Sequence, residues 1–243
     1  MNQLIRVDPF MRYTLASANL ILAKTPESKE IIPTKHRNKS RVHLEIGIKE
    51  DFNGKSSIPT AISKDKFRVL YVGRFLYLKG MHLGLKAFSQ LLKELSSARL
   101  TMVGKGPEEK AWKKMVAELN IKHAVDWVSW ISQSKLRDIY HTHDVLLFPS
   151  LHDSSGNVVL EAMAHGLPVV CLELGGPAQV VDENSGICIG ASGKSETAVV
   201  KGLKKAMTDL ACDPVFYHRL SVGARERAAR FQWHNTVYDI YPA

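Results

Sequence analysis

The chain has 243 residues, 45% of them hydrophobic and 23% charged, which places it among ordinary globular proteins. No apolar run reaches the roughly 18 residues of a transmembrane helix, and the N-terminus Met-Asn-Gln-Leu-Ile-Arg-Val-Asp-Pro lacks the apolar stretch of a signal peptide. The formal net charge of +9 is spread along the chain with no recognition helix or aromatic-interleaved basic motif, which argues against nucleic acid and leaves an anionic substrate or an anionic membrane surface.

Residues 1–60 offer two short apolar runs, Asn19–Lys24 and Val42–Ile46, separated by a charged stretch and followed by a linker at Ser56-Ser57-Ile58-Pro59-Thr60. Two strands and two short helices are too few for an independent doubly wound domain. From Arg68 onward, strand-like and helix-like segments alternate. The pattern predicts a strand over Arg68–Gly73, then a helix over Gly80–Leu95 with Leu83, Ala87, Leu91 and Leu95 on one face. A strand over Arg99–Val103 leads through Gly104-Lys105-Gly106 into a helix that opens at Pro107 and runs to Leu119. Val125–Val128 is a strand, Ser134–His141 a helix, and Asp144–Phe148 a buried strand closed by Pro149. Asn157 is positioned to cap a helix running to about His165, before Gly166 and Pro168 end it. Pro168–Leu172 and Gly186–Ile189 complete the strands, and Ser195–Ala211, Pro214–Arg230 and a segment from Trp233 are helical. This alternation predicts an α/β fold: a doubly wound parallel sheet ordered 3-2-1-4-5-6 with right-handed crossovers.

The stretch from Leu146 to Gly176 carries the chemistry. A helix that follows a strand aims its first amides at the strand's carboxyl end, where open α/β sheets bind ligands. Two carboxylates bracket the loop: Asp153 on it and Glu161 in the second helical turn. At i±3 and i±4 from Glu161 stand Asn157, Val158, Ala164 and His165, so no Lys or Arg neutralises it along the helix. A carboxylate beside Val158, Val159, Ala162 and Met163 needs hydrogen-bond donors, and vicinal ribose hydroxyls supply two. Phosphate near the helix start and hydroxyls near the acids outline a nucleotide-sugar site.

Cysteines and histidines add no metal set. Cys171, Cys188 and Cys212 lie in apolar contexts without ligand spacing, which predicts reduced, buried thiols. His141 and His143 are two apart, and His152 adjoins Asp153 on the loop, again short of a metal constellation.

The segment resembles the donor-binding signature of the retaining glycosyltransferases of GT-B fold, the large bacterial family-4-type group also called glycosyl transferases group 1. That family carries two glutamates separated by seven residues, then Ala-Met-Ala, Gly, Pro-Val-Val and a Gly-Gly pair. Glu161, Ala162, Met163, Ala164, Gly166, Pro168, Val169, Val170, Gly175 and Gly176 match it in register. Asp153 stands in place of the first glutamate, Ser154 where glycine is common, and Gln179 where an acid often follows the glycines. In the family the first acid contacts the donor sugar and the second the ribose, so the Asp153 change bears on sugar identity more than on nucleotide binding. Gly73-Arg74 and Lys79-Gly80 match the family's Gly-Arg, four residues, Lys-Gly. Such cations grip phosphate, and they stabilise a leaving nucleoside diphosphate as it gains charge.

The resemblance implies a Rossmann-like GT-B C-terminal domain over residues 61–230, a remnant of an acceptor-binding N-terminal domain with its linker over 1–60, and a crossover helix over 231–243. It implies Arg74, Lys79, Asp153 and Glu161 as catalytic residues. Donor contacts would come from Gly73, Ile131, Ser155, Gly156, Asn157 and Glu161, with the nucleobase near Ile131, although Ser129 replaces a usual glycine there. Trp127 and Trp130 read as packing residues. The implied partners are a nucleotide-diphosphate sugar and a glycan or lipid-linked acceptor, with no metal or other cofactor. The implied setting is cytoplasmic, compatible with peripheral contact at the inner face of an anionic membrane, and the pathway class is polysaccharide synthesis. Two alternatives stand beside retaining transfer: a non-catalytic nucleotide-sugar-binding module that needs a separate acceptor domain, and a phosphorylase-type enzyme with a pyridoxal phosphate lysine.

Overall fold

A computed structural model describes residues 8–48, 66–129 and 131–240. The expected linker at Ser56–Thr60 and Trp130 lie outside these residues. The larger unit is a six-stranded sheet of β3 (Arg68–Val72), β4 (Arg99–Val103), β5 (Val125–Val128), β6 (Val145–Phe148), β7 (Val169–Leu172) and β8 (Gly186–Ile189). Its spatial order is β5-β4-β3-β6-β7-β8, every neighbouring pair parallel, which is the expected 3-2-1-4-5-6 counted from β3. All four residues of β6 and of β7 are buried. That explains their unbroken apolar sequence, because a central parallel strand has helices on both faces.

The intervening helices are α3 (Met81–Leu91), α4 (Glu109–Glu118), α5 (Gln133–His141), α6 (Asn157–Ala164) and the short α7 (Pro177–Val180), followed by α8 (Glu196–Cys212) and α9 (Pro214–Ala229). Right-handed crossovers place helices that step toward β5 on one face and those that step toward β8 on the other. In keeping with this, α8 packs against α3, and α9 packs against α6. Capping explains several starts: Ser132, Ser195 and Asp213 accept backbone amides at the heads of α5, α8 and α9. The chain lays down β3, β4 and β5 in one direction, then returns to place β6 on the other side of β3. The loops after β3 and β6 therefore diverge and leave a crevice, the topological switch point of such sheets.

Residues 8–48 form α1 (Pro9–Ser17), β1 (Ile21–Ala23), α2 (Pro26–Ile31) and β2 (Ser40–Val42), with β1 and β2 paired in parallel as a separate two-stranded sheet. The apolar run expected as a strand over Val42–Ile46 contributes only Val42 to β2. Its later residues turn to another partner: Ile46 and Ile48 are buried, and Ile48 bridges Gln232. The last helix, α10 (Trp233–Ile240), is stitched to this segment. Ile48 N–H donates to the Phe231 carbonyl at 2.9 Å, and Thr236 Oγ1 donates to the Ile46 carbonyl at 3.0 Å. Among the described residues no helix is long and apolar enough to cross a membrane.

At the amino edge of the sheet, Asp144 ties β3 to β6. Its carboxylate accepts the Arg68 amide at 2.6 Å, and its own amide donates to the Arg68 carbonyl at 2.8 Å. Burial pushes the Asp144 carboxyl up to about 6, although the Arg68 amide and charge oppose this. A carboxyl raised in the folded state binds its proton more tightly there than in the unfolded chain. Its stabilising contribution is complete below about pH 4 and is lost as pH rises through about 6. Asp144→Asn keeps an acceptor for Arg68 and removes the buried charge. It should therefore stabilise the fold by about 1–3 kcal/mol at pH 7.5, with the gain vanishing at pH 4 in urea unfolding at the two pH values. An equal effect at both would show that ionisation of Asp144 is not the cause.

Candidate functional site

The loops after β3 and β6 are bound to each other before any side chain reaches into the crevice. The Leu78 carbonyl accepts the amides of Leu151 at 2.9 Å and His152 at 3.3 Å, and the Ser150 hydroxyl at 3.2 Å. Gly80 has φ +67°, and a Cβ there would lie 1.9 Å from the Pro149 carbonyl oxygen, so only glycine permits this approach. A 3-10 turn at Tyr77–Lys79 precedes α3. Lys79 ends this turn, which carries its ammonium across the crevice to the Asp153 carboxylate.

Asp153 is the hub of the β6 loop. Besides the Lys79 ammonium, its Oδ1 accepts the amides of Ser155 at 3.0 Å and Gly156 at 2.9 Å. Burial alone would push this carboxyl up; the Lys79 hydrogen bond and the two amides overcome it and hold the carboxyl below its usual range. The Asp153 carbonyl accepts the Gly176 amide at 2.7 Å. Gly175, at φ +61°, would put a Cβ 2.4 Å from that carbonyl oxygen, which accounts for the glycine pair after β7.

Two local expectations change. Gly156, with φ +76°, is the residue that precedes α6, and Asn157 is the first helical residue instead of the cap. The reason is the short reach of Asp153, whose side chain folds back on the amides two and three residues on in an Asx-type turn. Those amides, at Ser155 and Gly156, serve the carboxylate. The head of α6 itself carries no side-chain cap, so its first amides remain directed at the crevice.

Glu161 is half-buried on α6, and the Tyr140 hydroxyl on α5 donates to its Oε2 at 3.2 Å. Burial raises the Glu161 carboxyl, and the Tyr140 hydrogen bond opposes part of that rise. Tyr140 is buried, and its ring stacks on His165 with centroids 5.3 Å apart. Nothing in the spacing pointed to Tyr140, which lies 21 residues from Glu161 on a different helix. A carboxylate at an apolar helix position did indicate that some donor must exist.

Arg74 is exposed at the carboxyl end of β3, and its side chain has no hydrogen bond or ion pair among the described residues. Its carbonyl is held by the Tyr71 hydroxyl at 3.0 Å. Gly73 donates its amide to the Val103 carbonyl, and half-buried Ile131 follows β5 at the same edge of the sheet. The structure thus brings Lys79, Asp153, Ser155 and Gly156 into direct contact. Glu161 stands on the adjoining helix, and Arg74, Gly73 and Ile131 lie along the same sheet edge without joining the cluster. Trp127 packs edge-on against Phe75 with centroids 5.7 Å apart, a packing role as expected. His152 is exposed. Cys212 is exposed too, contrary to the expectation of three buried thiols, because it ends α8. Among the described residues no group of three or more His, Cys, Asp or Glu is placed to hold a metal ion.

The family model described as glycosyl transferases group 1 matches residues 54–227. An uncharacterized glycosyltransferase of Methanocaldococcus jannaschii is 28% identical over 186 residues, which cover 76% of this chain and 46% of that protein. A D-inositol 3-phosphate glycosyltransferase of Stackebrandtia nassauensis is 33% identical over 183 residues, covering 71% of this chain and 40% of that protein. The chain thus spans less than half the length of these curated relatives. The crystal structure of Anabaena HepE in complex with UDP superposes with a TM-score of 0.80 at 19% identity, over 98% of this chain and 66% of that one. At that identity the likeness establishes the fold.

The Tyr140–Glu161 contact makes a prediction of its own. Tyr140→Phe removes a donor to the half-buried carboxylate, so the Glu161 carboxyl should titrate at higher pH than in the wild type. Carbon-detected NMR titration of the glutamate carboxyls, with Glu161→Gln to assign the resonance, measures this. An unchanged or lower midpoint would mean that Tyr140 does not stabilise the ionised form.

Proposed function

We propose that this chain, which belongs to the glycosyl transferases group 1 family, binds a nucleotide-diphosphate sugar at the switch point between β3 and β6 and serves its transfer, with retention, to an acceptor hydroxyl. The observation that carries the reading is the convergence of the Lys79 ammonium, the Asp153 carboxylate and the uncapped head of α6 in one crevice. An ammonium has three donors. One is committed to Asp153, and the others can meet diphosphate oxygens beside the helix amides.

Each residue then has a role fitted to its surroundings. Arg74, exposed and without a partner among the described residues, closes on the diphosphate from the β3 side and, with Lys79, offsets the charge that develops on the leaving group. Fixed donors of this kind contribute about 3–4 kcal/mol to a transition state in measured cases. Glu161, half-buried and held by the Tyr140 hydroxyl, accepts the ribose hydroxyls. Asp153, held rigid by three donors, faces the sugar. Backbone near Ile131 borders the base. The Anabaena neighbour's complex with UDP supports a uridine nucleotide as the first ligand to try. The charge on the leaving group is met here by Arg74 and Lys79, so turnover should persist in EDTA.

A panel of UDP-, GDP-, ADP- and TDP-sugars tests the reading by thermal shift. A ligand at 100 times its Kd adds about 2.7 kcal/mol, or roughly 5–10 °C for a domain of this size. Arg74 has no structural partner among the described residues, so Arg74→Ala should leave the unliganded Tm within about 1–2 °C. It should weaken nucleoside diphosphates far more than nucleosides, whereas Glu161→Ala should weaken both. Absence of any shift across the panel would overturn the site. Release of nucleoside diphosphate by the isolated chain separates catalysis from the alternative; binding without release would make the chain a donor-binding module that needs an acceptor domain.

A further inference from the structure

Toward the β8 edge of the sheet, β7 and the edge strand β8 bring two cysteines together. The register pairs Cys171 directly with Cys188, and their sulfurs lie 3.6 Å apart. Neighbouring strands are spaced about 4.8 Å apart, and disulfides span Cα separations of about 4.4–6.8 Å, so the backbone already meets the requirement. The two thiols differ in access. Cys171 is completely buried, while Cys188 is half-buried and lines a cavity of about 530 Å³ beside α7 and α9. Glu173, Asp182, Glu183 and Arg219 also line that cavity. Acids and a guanidinium side by side suit a small molecule that carries both amino and carboxylate groups.

We propose that Cys171 and Cys188 form a reversible dithiol–disulfide site, in which Cys188 exchanges with small aminothiol disulfides admitted through this cavity and Cys171 resolves the product. The Cys188 thiolate attacks one sulfur of the small disulfide, forming a mixed disulfide and expelling one thiolate. Cys171 loses its proton and attacks the Cys188 sulfur, closing the intrachain bond and expelling the second thiolate. The protein loses two protons and two electrons, and the small disulfide takes them up to become two thiols. The hydrogen bond between the sulfurs, together with burial, pushes Cys171 up; the same hydrogen bond holds Cys188 below the usual thiol range, which favours Cys188 as the attacking group. The test of this site does not rely on nucleotide binding.

The full chain carrying Cys212→Ser, which removes the exposed third thiol, is equilibrated while folded in oxidised and reduced glutathione mixtures. Free thiols, intact mass and disulfide-mapped peptides are then measured. Both remaining thiols should disappear in one two-electron transition, with a peptide joining residues 171 and 188 and full recovery on reduction. With Cys171→Ser added, the reaction should stop at a glutathione adduct on Cys188. The wild-type chain reports the same cross-link even if a cysteine variant folds poorly. A chain whose thiols stay free in the oxidising mixture until it is unfolded would overturn the proposal. So would one that accumulates the Cys188 adduct without the cross-link.

Discussion

The arrangement depends on one contact across the switch point, the ion pair of Lys79 with Asp153. A half-buried pair gains little by Coulomb attraction alone, because both ions lose hydration. It is tolerable here because Asp153 is also met by the amides of Ser155 and Gly156, which replace the water it gave up. The pair in turn fixes the separation of two loops that leave adjacent strands in diverging directions. Backbone bonds from Leu78 and the glycine at position 80 hold the turn close enough for the lysine to reach. The carbonyl of Asp153 then receives Gly176, so the loop after β7 is registered to the same point.

The two edges of the sheet are built for different purposes. At the amino edge, half-buried Asp144 accepts the Arg68 amide and donates its own to the Arg68 carbonyl, so it serves to join strands. At the carboxyl edge, charges are graded by exposure. Lys79 is mostly buried and paired, Glu161 is half-buried with one donor, and Arg74 is exposed without a partner among the described residues. That gradient leaves one cation paired inside the crevice and one exposed at its mouth.

Residues 8–48 contribute little core of their own, and none of the residues of α1 or α2 is buried. Their order comes from the short parallel pairing of β1 with β2 and from α10, which returns from the end of the sheet domain to bond Ile46 and Ile48. The indole of Trp233 lies against Gly47, where a Cβ would come within 2.7 Å of the ring. The Phe-Gln-Trp segment thus serves as the clasp between the beginning and the end of the described chain.

Periodicity and punctuation predicted the six strands, the longer helices and the strand order, though not the short α7, because an alternating chain of buried apolar runs and amphipathic helices has few right-handed ways to cover both faces of a sheet. The acids, cations and glycines of the crevice were legible because they match, in register, a donor-binding signature along the segments that follow β3 and β6. What tertiary structure decided were the partnerships between distant elements. Tyr140 reaches Glu161 only because α5 packs beside α6, and Cys171 meets Cys188 only through the register of β7 with β8. Asp153, for which the family resemblance implies a sugar contact, is the structural anchor for Lys79 and two amides. Short-range pattern specifies which way a side chain leaves its own element; which group it meets depends on packing between elements far apart in the chain, and no local spacing encodes that.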